Sequence, residues 1–270
     1  MIRFPNRMVK GFDALVDIRK IAPFFSGWDE TFIWSCLQGC MGYAIVDDKE
    51  EPAAAQLVVG DICFFAGTPD QRLASQAAAP IMVPRNEDWG KTIETVFGND
   101  VEKALRYAFK KEPDAFDIPK LAQYSESLGD DYSLRLFDEE LYHSAMREAW
   151  SKDLCSQFSD YQDYSKRGIG VAVIHRGELV SGASSYIIYD GGIEIEIDTK
   201  PEYQRKGLAL ACGARLILEC LRRGLYPSWD AHDLRSVSLA EKLGYRMSHP
   251  YTAYIQKEFI RSYVSSVGTA

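Results

Sequence analysis

The segment of residues 193–209 constrains the fold of this chain most strongly, because it combines a strand, a turn and the start of a long helix. Over residues 193–198, isoleucine alternates with glutamate or aspartate, which indicates a strand with one packed face and one face of carboxylates. Pro201 is expected to end this strand. From Gly207 onward apolar residues recur at helical spacing, and the Arg-Arg-Gly of residues 222–224 predicts the end of the helix.

The turn between this strand and this helix has the features of an anion-binding loop. The first N–H groups of a helix have no acceptor within the helix, and they lie at the positive end of its dipole. Two cationic side chains accompany them here, so a pyrophosphate group fits the turn. We call this segment the 204–209 loop; it consists of Gln204, Arg205, Lys206, Gly207, Leu208 and Ala209.

A pattern Gln/Arg-x-x-Gly-x-Gly/Ala after a strand resembles the coenzyme A signature of the GNAT acetyltransferases, and this chain carries it at residues 204–209. Downstream, Asp233 and Ser236 open a predicted helix that closes before Gly244-Tyr245, where the family usually has Asn-x-x-Ser and Gly-Phe. Upstream, the predicted strands 171–175 and 180–189 form a hairpin like the one that precedes the signature in the family. The resemblance spans residues 131–255.

The resemblance implies an N-acetyltransferase that moves an acetyl group from acetyl-CoA to a primary amine by direct transfer in a ternary complex, without a metal. Backbone N–H groups near the end of the signature strand are expected to polarise the acetyl carbonyl. The residues that the resemblance assigns to acetyl-CoA are Ile197, Asp198, Thr199, Gln204, Arg205, Lys206, Gly207, Leu208, Ala209, Asp233 and Ser236.

The strand carboxylates are candidates for the catalytic base. An alkylammonium group must lose a proton before it attacks a thioester, which costs about 4 to 5 kcal/mol at pH 7. Glu196 and Glu194 share one strand face, and a close pair of carboxylates has one pKa raised toward the range of a useful base. The alternative is that the acidic face is only the solvated side of a sheet. For His232, a substrate contact or base and a purely structural role both stay open.

One departure from the family pattern concerns the general acid. Many members carry a tyrosine at the position of Ala240, where its hydroxyl reprotonates the departing thiolate, and this chain leaves that acid unassigned. Tyr245 is expected to be a core residue. The missing tyrosine keeps two alternatives open: a non-catalytic acyl-CoA-binding regulatory protein, and an assembly module without a cofactor.

Composition limits the partners. The net charge of −8 over 270 residues argues against nucleic acid and favours a cationic acceptor, either a small-molecule or a peptide amine. No apolar run reaches membrane-spanning length, and residues 1–8 lack the apolar core of a secretory signal, so we expect a cytoplasmic protein that does not bind membranes. A homodimer stays open.

The cysteines and serines indicate no second chemistry. The six cysteines are scattered, so we expect reduced thiols, and Cys36 and Cys40 have no second Cys or His pair at zinc-site spacing. The serine-rich residues 181–185 lack a nucleophile elbow, which argues against a serine hydrolase.

The whole chain is predicted to be an α/β protein of two domains. Residues 128–270 form the GNAT-like domain, a mixed sheet flanked by helices, and residues 1–127 form a smaller α/β domain of related topology without a coenzyme A site. In the first domain the patterns predict helices at 29–38, 71–78, 86–96 and 117–125, and a hairpin of strands 43–46 and 54–65.

The second domain is expected to begin with a strand at 132–137 and a helix capped by Asp138. In the family this region lies over the acceptor pocket, so Trp150, Phe158 and Tyr161 are candidate lining residues, with membership of the core as the alternative. A further short strand is predicted over residues 229–232.

Overall fold

The computed structural model of this chain describes residues 17–261. Residues 1–8, on which the prediction about a secretory signal was made, lie outside this range. Within it, no helix is both long enough and apolar enough to cross a membrane. The described chain divides into two compact units, one of residues 17–105 with 251–261 and the other of residues 106–250.

Helices and strands alternate along the described chain, as the sequence predicts for an α/β fold. In chain order, its strands are β1 (Tyr43–Val46), β2 (Ala54–Val59), β3 (Ile62–Gly67), β4 (Ile81–Pro84), β5 (Val101–Phe109), β6 (Tyr132–Leu136), β7 (Gly170–His175), β8 (Glu178–Tyr189), β9 (Gly192–Thr199), β10 (Tyr226–Ser228), β11 (Asp230–Ala231) and β12 (Met247–Gln256). Its α-helices are α1 (Ile18–Ile21), α2 (Thr31–Leu37), α3 (Gln71–Ser75), α4 (Glu87–Phe97), α5 (Ile118–Ser125), α6 (Glu139–Arg147), α7 (Tyr161–Arg167), α8 (Leu208–Arg222) and α9 (Leu234–Leu243).

The first unit is built on a mixed sheet. Strands β1 and β2 pair antiparallel, as do β2 and β3, whereas β3 and β4 are parallel. Its core packs α3 and α4 on this sheet around Phe65 and Trp89, whose ring centroids are 5.1 Å apart. The single strand predicted over residues 54–65 was wrong, because the chain turns back at Gly60-Asp61 into a second strand. Gly60 has φ +62°, a left-handed conformation that favours glycine.

The second unit holds a five-stranded sheet in the order β10-β9-β8-β7-β6. Strands β9 and β10 are parallel, and the other neighbours are antiparallel. Helix α8, which connects the parallel strands, packs on one face of the sheet through Leu208, Cys212 and Leu216. The predicted hairpin, signature strand and long helix are therefore confirmed.

The two units repeat one strand arrangement. Strands β1 to β4 and strands β7 to β10 both follow the sequence antiparallel, antiparallel, parallel, and in both a helix joins the last two strands. The predicted related topology of the N-terminal half is thus confirmed. The joining helix of the first unit, α3, has only five residues, and the Asp70 carboxylate caps it by accepting the Leu73 N–H at 2.6 Å. The first turn of α3 is thus capped by a side chain, whereas that of α8 is not.

Strands β5 and β12 each begin in one unit and end in the other, and each pairs through the part that lies in the second of these units. After α4 the chain continues into β5, which pairs with β11 in the second unit through Tyr107 and Ala108. After α9 it continues into β12, which pairs with β4 in the first unit through Tyr254 and Ile255. The division into units therefore does not coincide with the predicted boundary at residues 127/128.

Candidate active site

Strand β9 frames the site, because it loses one of its two neighbours halfway along its length. It pairs with β8 from Gly192 to Thr199, but with β10 only from Gly192 to Glu194. From Ile195 onward, no strand of the described chain pairs with this edge. The backbone edge that the resemblance assigns to the acetyl group is therefore open.

The opening arises because the chain leaves β10 at Trp229. This residue is buried, and its indole Nε1 donates a hydrogen bond to Ser236 Oγ at 3.1 Å. The chain then forms β11, which pairs with β5 rather than with β9. Two short strands with different partners thus flank Trp229, and only the second, β11, lies within the predicted strand 229–232.

The hydrogen-bonding phase of β9 decides which N–H groups face the open edge. The N–H of Lys200 donates to the Val180 oxygen of β8 at 3.0 Å. N–H directions alternate along an antiparallel strand, so the N–H groups of Ile197 and Thr199 point away from β8. Two donors thus line the edge where a carbonyl oxygen can be polarised.

The two faces of β9 differ as the alternation predicted. The isoleucine face packs on α8, where Ile197 lies so close to Gly213 that a Cβ on the glycine would be 3.0 Å from it. The other face carries the three carboxylates. Glu194 is only 3% exposed and lies in the segment paired with β10, whereas Glu196 and Asp198 are half-buried in the open segment.

Glu194 lies among tyrosines. Burial, reinforced by the Glu194 carboxylate, raises the pKa of Tyr189, and burial together with the same carboxylate raises the pKa of Tyr226 to about 12. The Tyr189 hydroxyl is 2.8 Å from Ser228 Oγ. Glu194 and Glu196 therefore share a face, but Glu194 lies at its enclosed end.

The 204–209 loop adopts the backbone of an anion site. Arg205 and Gly207 both have positive φ, +60° and +82°, on either side of Lys206. Gly207 is the N-cap of α8, and a Cβ built on it would have no atom within 4 Å. Space is therefore open directly at the helix N-terminus.

Helix α8 also lacks a side-chain cap. Among the described α-helices of eight or more residues, every other one has a side chain that accepts an N–H of its first turn; these caps are Asn86, Asp117, Asp138 and Asp233. For α8, which has 15 residues, no side chain does so. The N–H groups of its first turn are thus available to an external anion, and the residues present fit a pyrophosphate.

The side chains of the loop differ in burial. Leu208 is buried in the core below the loop, whereas Gln204, Arg205 and Lys206 are exposed. The Lys206 ammonium lies 4.5 Å from the centroid of the Tyr203 ring. The Tyr203 hydroxyl is 3.0 Å from His175 Nδ1. Tyr203 therefore holds one of the two loop cations near the helix N-terminus.

The predicted coenzyme A contacts on α9 already have partners within the chain. Asp233 caps α9 by accepting the Ser236 N–H at 2.8 Å, and it also pairs with Arg235. Ser236 Oγ accepts the Trp229 indole hydrogen bond. Their assignment to the cofactor stays a prediction. His232, just before them, is exposed with Nε2 3.6 Å from the Asp233 carboxylate.

The remaining sequence candidates separate by burial. Phe158 is buried against Tyr164, with ring centroids 5.0 Å apart, so its alternative as a core residue is confirmed. Trp150 and Tyr161 are half-buried and remain candidates for the acceptor pocket. Ala240 is buried and offers no proton donor. Tyr245 is a core residue, as predicted, and its hydroxyl donates to the Pro227 oxygen at 2.6 Å.

A carboxylate that the sequence analysis missed lies on the same face of the sheet. The 3-10 turn Lys152–Leu154 carries Asp153, whose Oδ1 accepts a hydrogen bond from Ser156 Oγ at 3.1 Å. Burial and the nearby Asp153 carboxylate raise the pKa of Asp198 to about 7. No local pattern links two residues so far apart in the chain, so only the fold reveals this pair.

The cysteine nearest the site cannot act as an acyl carrier at neutral pH. Cys212 Sγ is 3.7 Å from Ser181 Oγ, and burial raises the pKa of the Cys212 thiol to about 12. Over residues 17–261, no group of three or more His, Cys, Asp or Glu side chains is placed to hold a metal ion.

We predict that the folded protein exposes one reactive thiol. Cys40 is half-buried, whereas the other five cysteines are buried as free thiols. Iodoacetamide at pH 7.5 is expected to label Cys40 at least tenfold faster than any other cysteine, as followed by peptide mass spectrometry. Unfolding in urea serves as the control, since it should make all six equivalent. Rapid labelling of Cys212 in the folded protein would contradict this burial.

Comparison with known proteins agrees with this geometry. The sequence profile of the GNAT acetyltransferase family matches residues 22–254. An N-acetyltransferase of Bacillus subtilis strain 168, named YdfB and called uncharacterised, is 26% identical over 243 residues, covering 83% of this chain and 89% of its own. The crystal structure of a GCN5-related N-acetyltransferase-like protein from Streptococcus suis 89/1591 superposes with a TM-score of 0.85 at 44% identity, covering 88% of this chain and 97% of its own.

A more distant structure shares the fold alone. A GCN5-related N-acetyltransferase from Kribbella flavida superposes with a TM-score of 0.51 at 16% identity, covering 80% of this chain and 88% of its own. The profile match and the Streptococcus suis relative carry the assignment, since both extend over most of the sequence. This chain belongs to the GNAT acetyltransferase family and is an acyltransferase.

Proposed function

We propose that this protein transfers an acetyl group from acetyl-CoA to a primary amine by direct transfer within a ternary complex. The observation that carries the proposal is the meeting of two features at the carboxyl end of β9. There the open strand edge at Ile197 and Thr199 lies next to the uncapped N-terminus of α8. Ligands of parallel strand pairs bind at such carboxyl ends, where neighbouring strands separate.

Each feature suits one part of the donor. The N–H groups of the first turn of α8, with Arg205 and Lys206 beside them, would hold the pyrophosphate. The N–H groups of Ile197 and Thr199 would polarise the acetyl carbonyl. When bound, acetyl-CoA supplies a thioester whose sulfur is the leaving group. Asp233 and Ser236 at the start of α9 are further proposed contacts.

The acceptor is proposed to be a cationic amine, either a small molecule or a peptide. The face of β9 opposite α8 presents Glu196 and Asp198, and Asp153 approaches the same face. The net charge of −8 acts in the same direction and does not favour a nucleic acid as partner.

Direct transfer is favoured over a covalent acyl-enzyme by the state of the nearest nucleophiles. Cys212 is a buried thiol of raised pKa. Ser181 is buried too, and its hydroxyl donates to the backbone carbonyl oxygen of Asp198 at 3.0 Å. Neither side chain has the adjacent base and exposure that a nucleophile requires.

The test of this function is a calorimetric titration of acetyl-CoA into the purified protein, followed by a screen of primary amines for thiol release. Micromolar binding with turnover of at least one amine is the expected result. Binding without any turnover would instead favour the acyl-CoA-binding regulator that Ala240 permits. No binding at all would contradict the proposed site and favour an assembly module.

We predict that Tyr203→Leu weakens acetyl-CoA binding about 2- to 5-fold, because the loss of the ring removes a cation–π contact of about 0.5–1 kcal/mol with Lys206. Tyr203→Phe is the matched control, since it keeps the ring and removes only the hydroxyl near His175. It should bind as tightly as the wild type in the same titration. Equal losses in both variants would assign the effect to the hydroxyl and contradict the role of the ring.

A further inference from the structure

The turn that carries Asp153 lies directly over one residue pair of the sheet. In the antiparallel pairing of β8 and β9, Gly182 is the partner of Asp198. Directly paired residues project their side chains to the same face. A Cβ at Gly182 would lie 2.7 Å from Leu154 Cδ1, so the turn Lys152–Leu154 covers the space above this glycine. Asp198 therefore faces the same turn.

Gly182 is what permits this close approach. A larger residue there would have to displace Leu154, and with it Asp153. The hydrogen bond from Ser156 Oγ to Asp153 Oδ1 fixes the turn carboxylate from its other side. The turn above Gly182 thus places Asp153 near enough to Asp198 for its carboxylate to raise the pKa of Asp198.

No other ionisable group named below supplies a free positive charge that would lower the pKa of Asp198. On its own strand, Glu196 is a further carboxylate, and the Lys200 ammonium is paired with Glu178 and Glu202. From α8, Cys212 is a neutral thiol. On α7, the Tyr164 hydroxyl forms a hydrogen bond of 2.8 Å with Ser184 Oγ, and burial raises the pKa of Tyr164. The raised pKa of Asp198 is therefore consistent with a half-buried carboxylate beside Asp153.

We propose that Asp198 accepts the proton of the acceptor amine, and that Asp153 tunes it from the turn above. This assignment rests on the proposed acetyl transfer. For each acetyl group transferred, the ammonium group first loses one proton, and the neutral amine nitrogen then forms the bond to the carbonyl carbon and releases a second proton. Asp198 takes one and passes it to water, the sulfur takes the other as the carbon–sulfur bond breaks, and the third hydrogen stays on the amide.

The position of Asp198 distinguishes it from the two glutamates. It lies between Ile197 and Thr199, whose N–H groups face the open edge, so its side chain starts closest to where the carbonyl is polarised. Glu194 lies four residues earlier in the paired and enclosed segment. Glu196 shares the open segment and lies two residues before Asp198.

The deciding experiment is a ¹³C NMR titration of the aspartate carboxyl groups in the wild type, Asp198→Asn and Asp153→Asn. We expect one carboxyl with a midpoint well above the ordinary range, absent in Asp198→Asn. In Asp153→Asn its midpoint should fall by about one pH unit or more, because a like charge is removed. A midpoint that does not move in Asp153→Asn would overturn the pairing.

The rate measurement uses thiol release from acetyl-CoA with 1,4-diaminobutane as the probe amine. A base must be ionised to act, so kcat/KM should rise with pH through the Asp198 pKa. Asp153→Asn should shift this rise to lower pH, and Asp198→Asn should lower kcat about 100-fold or more. Asp88→Asn, at an exposed carboxylate of α4 in the first unit, is the control and should keep the wild-type rate. A wild-type rate in Asp198→Asn would overturn the assignment.

Calorimetry with acetyl-CoA distinguishes a failure of the proposed acetyl transfer from a failure of the assignment of Asp198 as the base. Wild-type affinity in Asp198→Asn, with the expected loss of kcat, supports both the proposed function and the base. Failure of the wild type to bind acetyl-CoA would instead reject the proposed function itself. If the probe amine is not acetylated, the carboxyl titration decides the assignment, since its two outcomes do not depend on turnover.

Discussion

Gly207→Glu is expected to abolish acetyl-CoA binding while the protein stays folded. The substitution places a carboxylate at the N-cap of α8. There it can accept hydrogen bonds from the same N–H groups that would otherwise bind the pyrophosphate. It also adds a negative charge to the space reserved for an anion. We expect the affinity to fall about 100-fold or more, which corresponds to roughly 2.7 kcal/mol, in a calorimetric titration.

Two matched variants separate charge from backbone strain. Gly207→Ala keeps the strain of a side chain at φ +82° without adding charge, and its Cβ meets no atom within 4 Å, so we expect a loss below about tenfold. Gly224→Glu adds the same carboxylate at φ +70° beyond the opposite end of α8, also in open space. It should bind acetyl-CoA like the wild type. Wild-type affinity in Gly207→Glu would reject the 204–209 loop as the binding site.

Helix capping explains why only one of the two repeated units presents such a loop. In the first unit the short α3 has its own carboxylate, Asp70, at the N-terminus. In the second unit the corresponding α8 starts at a glycine without a side-chain cap. The residue at the N-cap therefore decides whether the first N–H groups of the helix have an acceptor within the chain: an aspartate provides one, and a glycine does not. That the N-terminal half has no coenzyme A site stays a prediction.

The parts of the site that the sequence predicted are those with local signals. The strand face of β9 follows from a period of two, and the start of α8 follows from Gly207 and the apolar spacing after it. The hairpin of β2 and β3 also had a local signal, Gly60-Asp61, but the surrounding apolar run concealed it.

The parts that the sequence could not predict depend on contacts between distant residues. The nearness of Asp153 to Asp198 depends on the fold, in which Leu154 packs above Gly182, the strand partner of Asp198. The break at Trp229 depends on β5, which takes β11 as its partner. The period of two predicted that Glu194 and Glu196 share one face. The burial of Glu194 could not be predicted, because it depends on where β10 ends.

A buried ion pair holds β11 in place, so we expect Arg106→Met to destabilise the protein by roughly 3–5 kcal/mol. Arg106 Nε donates to Asp230 Oδ1 at 2.7 Å, and the two side chains are only 13% and 4% exposed. Removing the guanidinium leaves a buried carboxylate without its cationic partner. Urea unfolding followed by circular dichroism measures the loss as a shift of the unfolding midpoint.

The exposed pair Arg135 and Asp138 is the matched control, because both side chains are 46% exposed while the nitrogen–oxygen distance is 2.7 Å. Arg135→Met should cost less than about 1 kcal/mol. The double variant Arg106→Met with Asp230→Leu should recover most of the stability, since no buried charge remains. Similar losses in Arg106→Met and Arg135→Met would show that burial does not decide the energy of the Arg106 pair. Because β11 pairs with β5 and leads directly into Asp233 and α9, this ion pair links β5 to the segment that opens α9.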